Sequence, residues 1–234
     1  MVSVLVRKYA EHLVRKNGGN TIRILEIGAG TGGTTTLVLE GLQHLQQRVE
    51  YWFTDISPQF VNQGKANYSK KYPFAKFKTL NIERDVENQG YDPHSFDLIL
   101  ETNAIHATGL INRSLRHVHA LIKEGGLFVL NEITQFQDYW AYVAGIIDGW
   151  WLTQDAEIRI ANSPLLNYKG WKDVLQQAHF ANVMGSDTAR VKKYEQTIVC
   201  AQAGLLPRTE TRLMGEPPEH GNRSVMPQMA AGEI

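Results

Sequence analysis

The run Ile24-Leu25-Glu26-Ile27-Gly28-Ala29-Gly30-Thr31-Gly32-Gly33, followed directly by Thr34-Thr35-Thr36-Leu37-Val38-Leu39, constrains this chain more than any other stretch. Ile22, Ile24, Leu25 and Ile27 lead into a glycine-rich turn, and a helical pattern follows at once. The order strand, tight turn, helix predicts the first βα unit of a doubly wound sheet that holds a nucleotide-like ligand. Glycine serves such a turn because a residue without Cβ takes positive φ and lets a ligand press against bare backbone.

The glycines alone leave the ligand open. Gly28, Gly30 and Gly33 satisfy a dinucleotide fingerprint, whereas Glu26 with Gly28, Gly30 and Gly32 satisfies that of S-adenosylmethionine. Glu26 lies inside the strand, where a nicotinamide site has no need of a carboxylate, while the methionine half of S-adenosylmethionine carries an ammonium that a carboxylate attracts directly or through water. Asp55 ends the second apolar run, Val49-Glu50-Tyr51-Trp52-Phe53-Thr54-Asp55, and an acid there reaches ribose hydroxyls in either case. No lysine or arginine lies in the turn to meet a pyrophosphate, and the Gly-Lys-Ser/Thr ending of a phosphate loop is absent. The balance favours the methyl donor, with a nicotinamide oxidoreductase as the alternative.

The chain of 234 residues suits one domain with an extended tail. Its 24 basic and 24 acidic residues cancel, so no basic field is present to hold a nucleic acid backbone. The Asn/Asp-Pro-Pro-aromatic motif of nucleic acid methylation is also missing. Apolar runs such as Phe128-Val129-Leu130 are too short to span a bilayer, and the N-terminus lacks signal-peptide architecture. Cys200 is the single cysteine, which rules out an internal disulfide and fits a reducing compartment. A soluble, cytoplasmic protein is expected.

Val2, Leu5, Val6, Tyr9, Leu13 and Val14 recur at helical spacing and predict an N-terminal helix within residues 1–20. Strands are expected at about 21–28, 49–55, 74–80, 96–101 and 127–133, and a helix at about 33–47. Ser57-Pro58 should open another helix with serine as its cap. A helix through Leu115, Val118, Leu121 and Ile122 should be closed by Gly125-Gly126. Residues 134–168 read as a helical, aromatic-rich insertion, followed by a helix near 170–178 and short strands near 182–187 and 194–201. No helix fits between those last strands, which predicts an antiparallel hairpin; methyltransferase sheets have one and dinucleotide sheets usually lack it. The domain is thus expected over 21–203, with 204–234 a linker or disordered tail rich in Pro, Gly and Glu.

Ligands of such sheets bind beyond the carboxyl ends of the strands. His106 follows the fourth strand and Glu132 ends the fifth. If those strands are neighbours, about 4.8 Å apart, the imidazole and carboxylate can meet above the sheet and form a general base. His117 and His119 cannot face one ligand together, and His12, His44, His94, His179 and His220 are scattered, so no metal site is expected. The aromatic set Tyr139, Trp140, Tyr142, Trp150 and Trp151 is either core or the wall of an acyl pocket.

The blocks Leu25–Thr34, Thr54-Asp55-Ile56-Ser57, Asn103-Ala104-Ile105-His106-Ala107-Thr108, Leu130-Asn131-Glu132-Ile133 and Asp148-Gly149-Trp150-Trp151-Leu152 together resemble the methyltransferase domains of modular polyketide synthases, over residues 20–201. The resemblance implies a class I, Rossmann-like sheet of seven strands, S-adenosylmethionine as donor, and an acyl chain on an acyl carrier protein, within reach of neighbouring synthase domains, as acceptor. It implies that His106, assisted by Glu132, removes the acceptor proton. It also places Glu26, Gly28, Gly30, Gly32, Asp55, Ile56, Asn81, Ile82 and Asn103 around the cofactor. Asn81 stands where an aspartate commonly approaches the adenine, and its amide carbonyl can serve the exocyclic amine. Carbon-methylating members usually carry a longer lid before the glycine strand, and Ser163-Pro164-Leu165-Leu166 stands where many have a Cys-Pro-Gly-like run. The short lead fits either an excised core or the related oxygen-methylating domains, which have a shorter lid, and the Ser163 segment tilts mildly towards methylation of a β-oxygen; methylation of a free small molecule is a further alternative.

Overall fold

A computed structural model describes residues 1–16, 18–136, 151–186 and 196–205. The chain runs α1 (Val2–Lys16), β1 (Ile22–Ile27), α2 (Gly33–Leu42), β2 (Val49–Asp55), α3 (Pro58–Tyr68), β3 (Ala75–Thr79), β4 (Phe96–Thr102), α4 (Ile111–Leu121), β5 (Ile122–Ile133), α5 (Tyr168–Gln177), β6 (Phe180–Gly185) and β7 (Gln196–Ala203). The seven strands form one sheet in the order β3-β2-β1-β4-β5-β7-β6. β1 to β5 are parallel, and β7 runs antiparallel to both β5 and β6. This is the doubly wound sheet with the expected C-terminal hairpin.

Burial on both faces explains the near-continuous apolar runs: Leu98, Ile99 and Leu100 of β4 are all inaccessible to solvent. One core layer, including Leu25, Ile27, Ile99, Leu115, Leu130 and Trp171, lies towards α4 and α5. The other joins Ile24, Leu98 and Val129 to Val2, Val6 and Ala10 of α1 and to Val38 and Leu42 of α2. The α1 residues recur every four positions and so present one face to that core.

Several elements depart from the sequence reading. α4 stops at Leu121, because Ile122 already pairs with Phe96 in the sheet. The register then shifts, and Leu127 is the partner of Leu98; Gly125, at φ +70°, turns the backbone within this irregularity instead of capping a helix. α3 has Pro58 in its first turn, but the Ser57 side chain makes no cap bond. β6 begins at Phe180, two residues before its expected start, because Phe180 pairs with Ala203 of β7; the described part of β7 begins at Gln196, which pairs with Ile133 of β5. The aromatic residues Tyr139, Trp140, Tyr142 and Trp150 lie outside the described residues, whereas Trp151 is largely exposed. No helix among the described residues is long and apolar enough to cross a membrane.

Candidate active site

β1 continues into β2 on one side of the sheet, and β4 leads to β5 on the other, so the strand order reverses between β1 and β4. The carboxyl ends of those two strands therefore frame the crevice where ligands bind in this architecture.

Gly28, Gly30 and Gly32 have φ of 64°, 54° and 86°, a region that side chains disfavour. Their uses differ. A Cβ on Gly28 would lie 2.4 Å from the Cβ of Ala104, and one on Gly32 would lie 2.3 Å from the hydroxyl of Tyr68. Those two glycines make room for the protein itself. A Cβ on Gly30 would meet nothing nearer than a carbonyl oxygen at 4.0 Å, so Gly30 offers open backbone to a ligand. Asp55 supports the turn: Oδ2 accepts from Gly30 N–H at 2.9 Å and Oδ1 from Ser57 N–H at 2.8 Å. Each carboxylate oxygen retains a lone pair for a further donor. Ile56 beside it is 62 % exposed, while Ile82 is packed in the core with Leu80 and Val86.

Glu26 points to the face lined by α2. Its Oε2 accepts from the hydroxyls of Thr35 and Tyr51, each at 2.5 Å. Burial pushes its pKa up to about 7, against the lowering effect of these two hydrogen bonds. Asn81 sits in a local turn in which its side-chain oxygen accepts from Glu83 N–H at 2.9 Å, and Gln89 brackets its backbone N–H and C=O. Asn103, at φ 52°, accepts from Ile133 N–H at 3.1 Å and ties the end of β4 to the end of β5.

His106 occupies a short 3₁₀ turn after β4, and Glu132 is in β5, the neighbouring strand. Nδ1 of His106 lies 2.7 Å from Oε2 of Glu132, and the His106 backbone N–H donates to Oε1 at 3.2 Å. A carboxylate can only accept, so the ring proton sits on Nδ1 and Nε2 carries the lone pair. The structure thus brings together the two residues that the sequence placed after the fourth strand and at the end of the fifth.

Residues 25–128 match a family described as "Methyltransferase domain". The chain is 39 % identical over 204 residues to polyketide synthase ThaG of Burkholderia thailandensis, a match covering 87 % of the chain and 4 % of that protein. A solved structure described as the DszA carbon methyltransferase superposes with a TM-score of 0.80 at 37 % identity, covering 87 % of the chain and 54 % of that one. The carbon methyltransferase domain of the citrinin polyketide synthase gives 0.76 at 34 %, covering 87 % and 53 %. The chain belongs to the methyltransferase domains of polyketide synthases. It spans about half the length of those solved domains and a small fraction of the curated synthases.

In this methyltransferase domain two further groups, unremarked in the sequence, support the His106 turn. Glu101, fully buried in β4, accepts from Ala104 N–H at 2.9 Å and from Ile105 N–H at 3.4 Å. Arg159, whose side chain is fully buried, pairs with Asp155 and donates to the carbonyls of His106, Thr108 and Pro164 at 2.6, 2.7 and 2.5 Å. The second oxygen of Asp155 accepts from Ile111 N–H at 2.7 Å, at the start of α4. Each had a faint signal: Glu101 is an acid in an apolar run, and Asp155 and Arg159 are opposite charges four residues apart.

Proposed function

We propose that this domain transfers a methyl group from S-adenosylmethionine to the α-carbon of a β-ketoacyl chain carried as a thioester on an acyl carrier protein. The hydrogen bond of 2.7 Å between His106 and Glu132, at the strand ends beside the glycine turn, carries this reading. The open backbone at Gly30, the remaining lone pairs of Asp55 and the exposed Ile56 fit an adenosyl ligand. When bound, S-adenosylmethionine supplies an electrophilic methyl group on a positively charged sulfur.

The residues of the chain supply the base. Nε2 of His106 takes the acidic proton between the ketone and the thioester, leaving the acceptor carbon nucleophilic. Glu132 fixes the tautomer beforehand and stabilises the imidazolium afterwards. Asn103 and Arg159 hold the two strand ends and the turn in place. Carbon is favoured over oxygen because the solved domains at 34–37 % identity are described as carbon methyltransferases. Pro164, in the segment that tilted the sequence reading towards oxygen, serves as a brace through its carbonyl.

The test is mass spectrometry of β-ketoacyl and β-hydroxyacyl carrier proteins incubated with the methyl donor. One methyl should be gained on the α-carbon of the keto substrate. His106→Ala should abolish that gain while binding the cofactor with unchanged affinity. Gain only on the β-hydroxyl, or on neither substrate, would overturn the proposal.

A further inference from the structure

Two carboxyl groups share the space behind the candidate base. Thr102 pairs with Asn131 and Glu101 with Leu130, so Glu101 and Glu132 lie on the same face of β4 and β5. Both are fully buried. Glu132 spends both oxygens on His106, one on the ring and one on the backbone N–H. Glu101 spends Oε2 on the turn that carries His106. Its Oε1 is buried with no donor among the described residues, and the strand register sets its carboxyl beside that of Glu132.

Two ionised carboxylates, both inaccessible to bulk solvent, would repel each other strongly there. The surrounding elements do not relieve this. Ile27 of β1 and Leu130 of β5, the register partners of Glu101, are apolar. Arg159 approaches from the 151–166 segment, but its charge is paired with Asp155 and its remaining donors serve carbonyls. Among the described residues, His106 is the titratable group bonded to the pair, through Glu132. A single proton shared on Glu101 satisfies every oxygen.

We infer that Glu101 is a positioning residue for proton transfer: a neutral carboxylic acid whose O–H donates to Glu132, holding that carboxylate on His106. This rests on the reading of His106 as the base. Burial, and after it the charge of Glu132, pushes the Glu101 carboxyl well above the ordinary carboxylate range, which agrees with the geometry. An apolar site can keep a carboxylic acid neutral so that it donates. The donated bond keeps Glu132 ionised and acceptor-only, so the proton on Nδ1 stays on the ring and Nε2 remains the basic nitrogen.

Glu101→Gln and Glu101→Leu separate the possibilities in the full chain. The glutamine amide donates to Glu132 as the acid does, and its oxygen still serves the turn. Glu101→Gln should therefore keep kcat within about threefold, whereas Glu101→Leu should lose roughly 10–100-fold in kcat with KM and cofactor affinity unchanged. Wild type should lose activity at alkaline pH as Glu101 ionises, and Glu101→Gln should lack that limb. Infrared spectroscopy at about pH 8.5, where Glu26 is ionised, should show the carbonyl stretch of a neutral carboxylic acid in wild type and its disappearance in Glu101→Gln. A glutamine variant as impaired as the leucine one, or no neutral-acid band, would overturn the inference. The infrared measurement needs no turnover, so it holds even if the methyl acceptor proves to be different.

Discussion

Glu26 shows how one residue can carry two opposed demands. The strand places its carboxylate where solvent cannot reach, and two hydroxyls, not a cation, receive it. Burial therefore dominates and the group titrates at about 7 instead of its ordinary 4.5. A ligand ammonium nearby would favour the ionised form. Affinity for S-adenosylmethionine should thus rise about tenfold between roughly pH 6 and pH 8, as Glu26 ionises. Calorimetric titration across that range checks this, and Glu26→Gln should flatten the profile. A flat wild-type profile would show that Glu26 acts only as a brace for Tyr51 and Thr35.

Among elements, the segment from Trp151 to Leu166 has little regular structure, yet it fixes the turn that carries the base. Arg159 draws together the carbonyls of His106, Thr108 and Pro164, while Asp155 joins the same cluster to the start of α4. A buried pair of this kind contributes little against an apolar substitute but is costly to break on one side. Arg159→Met should lower unfolding free energy by roughly 3–5 kcal/mol in urea denaturation, because Asp155 is left charged and buried. Combining it with Asp155→Leu should restore part of that loss, less the Asp155 bond to Ile111. Equal losses in the single and double variants would remove the ion pair from this account. Gly28 adds a second tie, since its missing Cβ is what lets Ala104, two residues before His106, pack on the glycine turn.

For the molecule as a whole, two buried acids give stability a common direction with pH. Glu26 and Glu101 both hold protons in the folded state that the unfolded chain releases at ordinary carboxylate values. The folded state binds more protons above those values, so stability must fall as pH rises through the carboxylate range towards 7. For Glu26 the effect is on the order of 3 kcal/mol once ionisation is complete. Thermal unfolding from about pH 5 to about pH 8 should show a declining Tm, and the double variant Glu26→Gln, Glu101→Gln should decline less. A wild-type Tm that rises over this interval would contradict both assignments.

The sheet also accounts for the placing of the two halves of the site. With β4 between β1 and β5, the glycine turn and the His106–Glu132 pair emerge at one rim. The strand, turn and helix around Gly28 to Gly33 were legible from residue order because φ preferences and apolar periodicity are local properties. The pairing of His106 with Glu132 was legible as soon as β4 and β5 were taken to be neighbours. Glu101, Arg159 and Asp155 could not be read this way. Each finds its role through a partner fixed by strand register or by a distant loop, and side-chain period alone does not encode register. The same reason hid the bulge at Gly125, where glycines suited a helix end as well as a strand irregularity. Local chemistry in the chain determined the glycine turn and the kinds of residue available at the rim; packing across strands decided which carboxyls share a proton and which cation holds the turn.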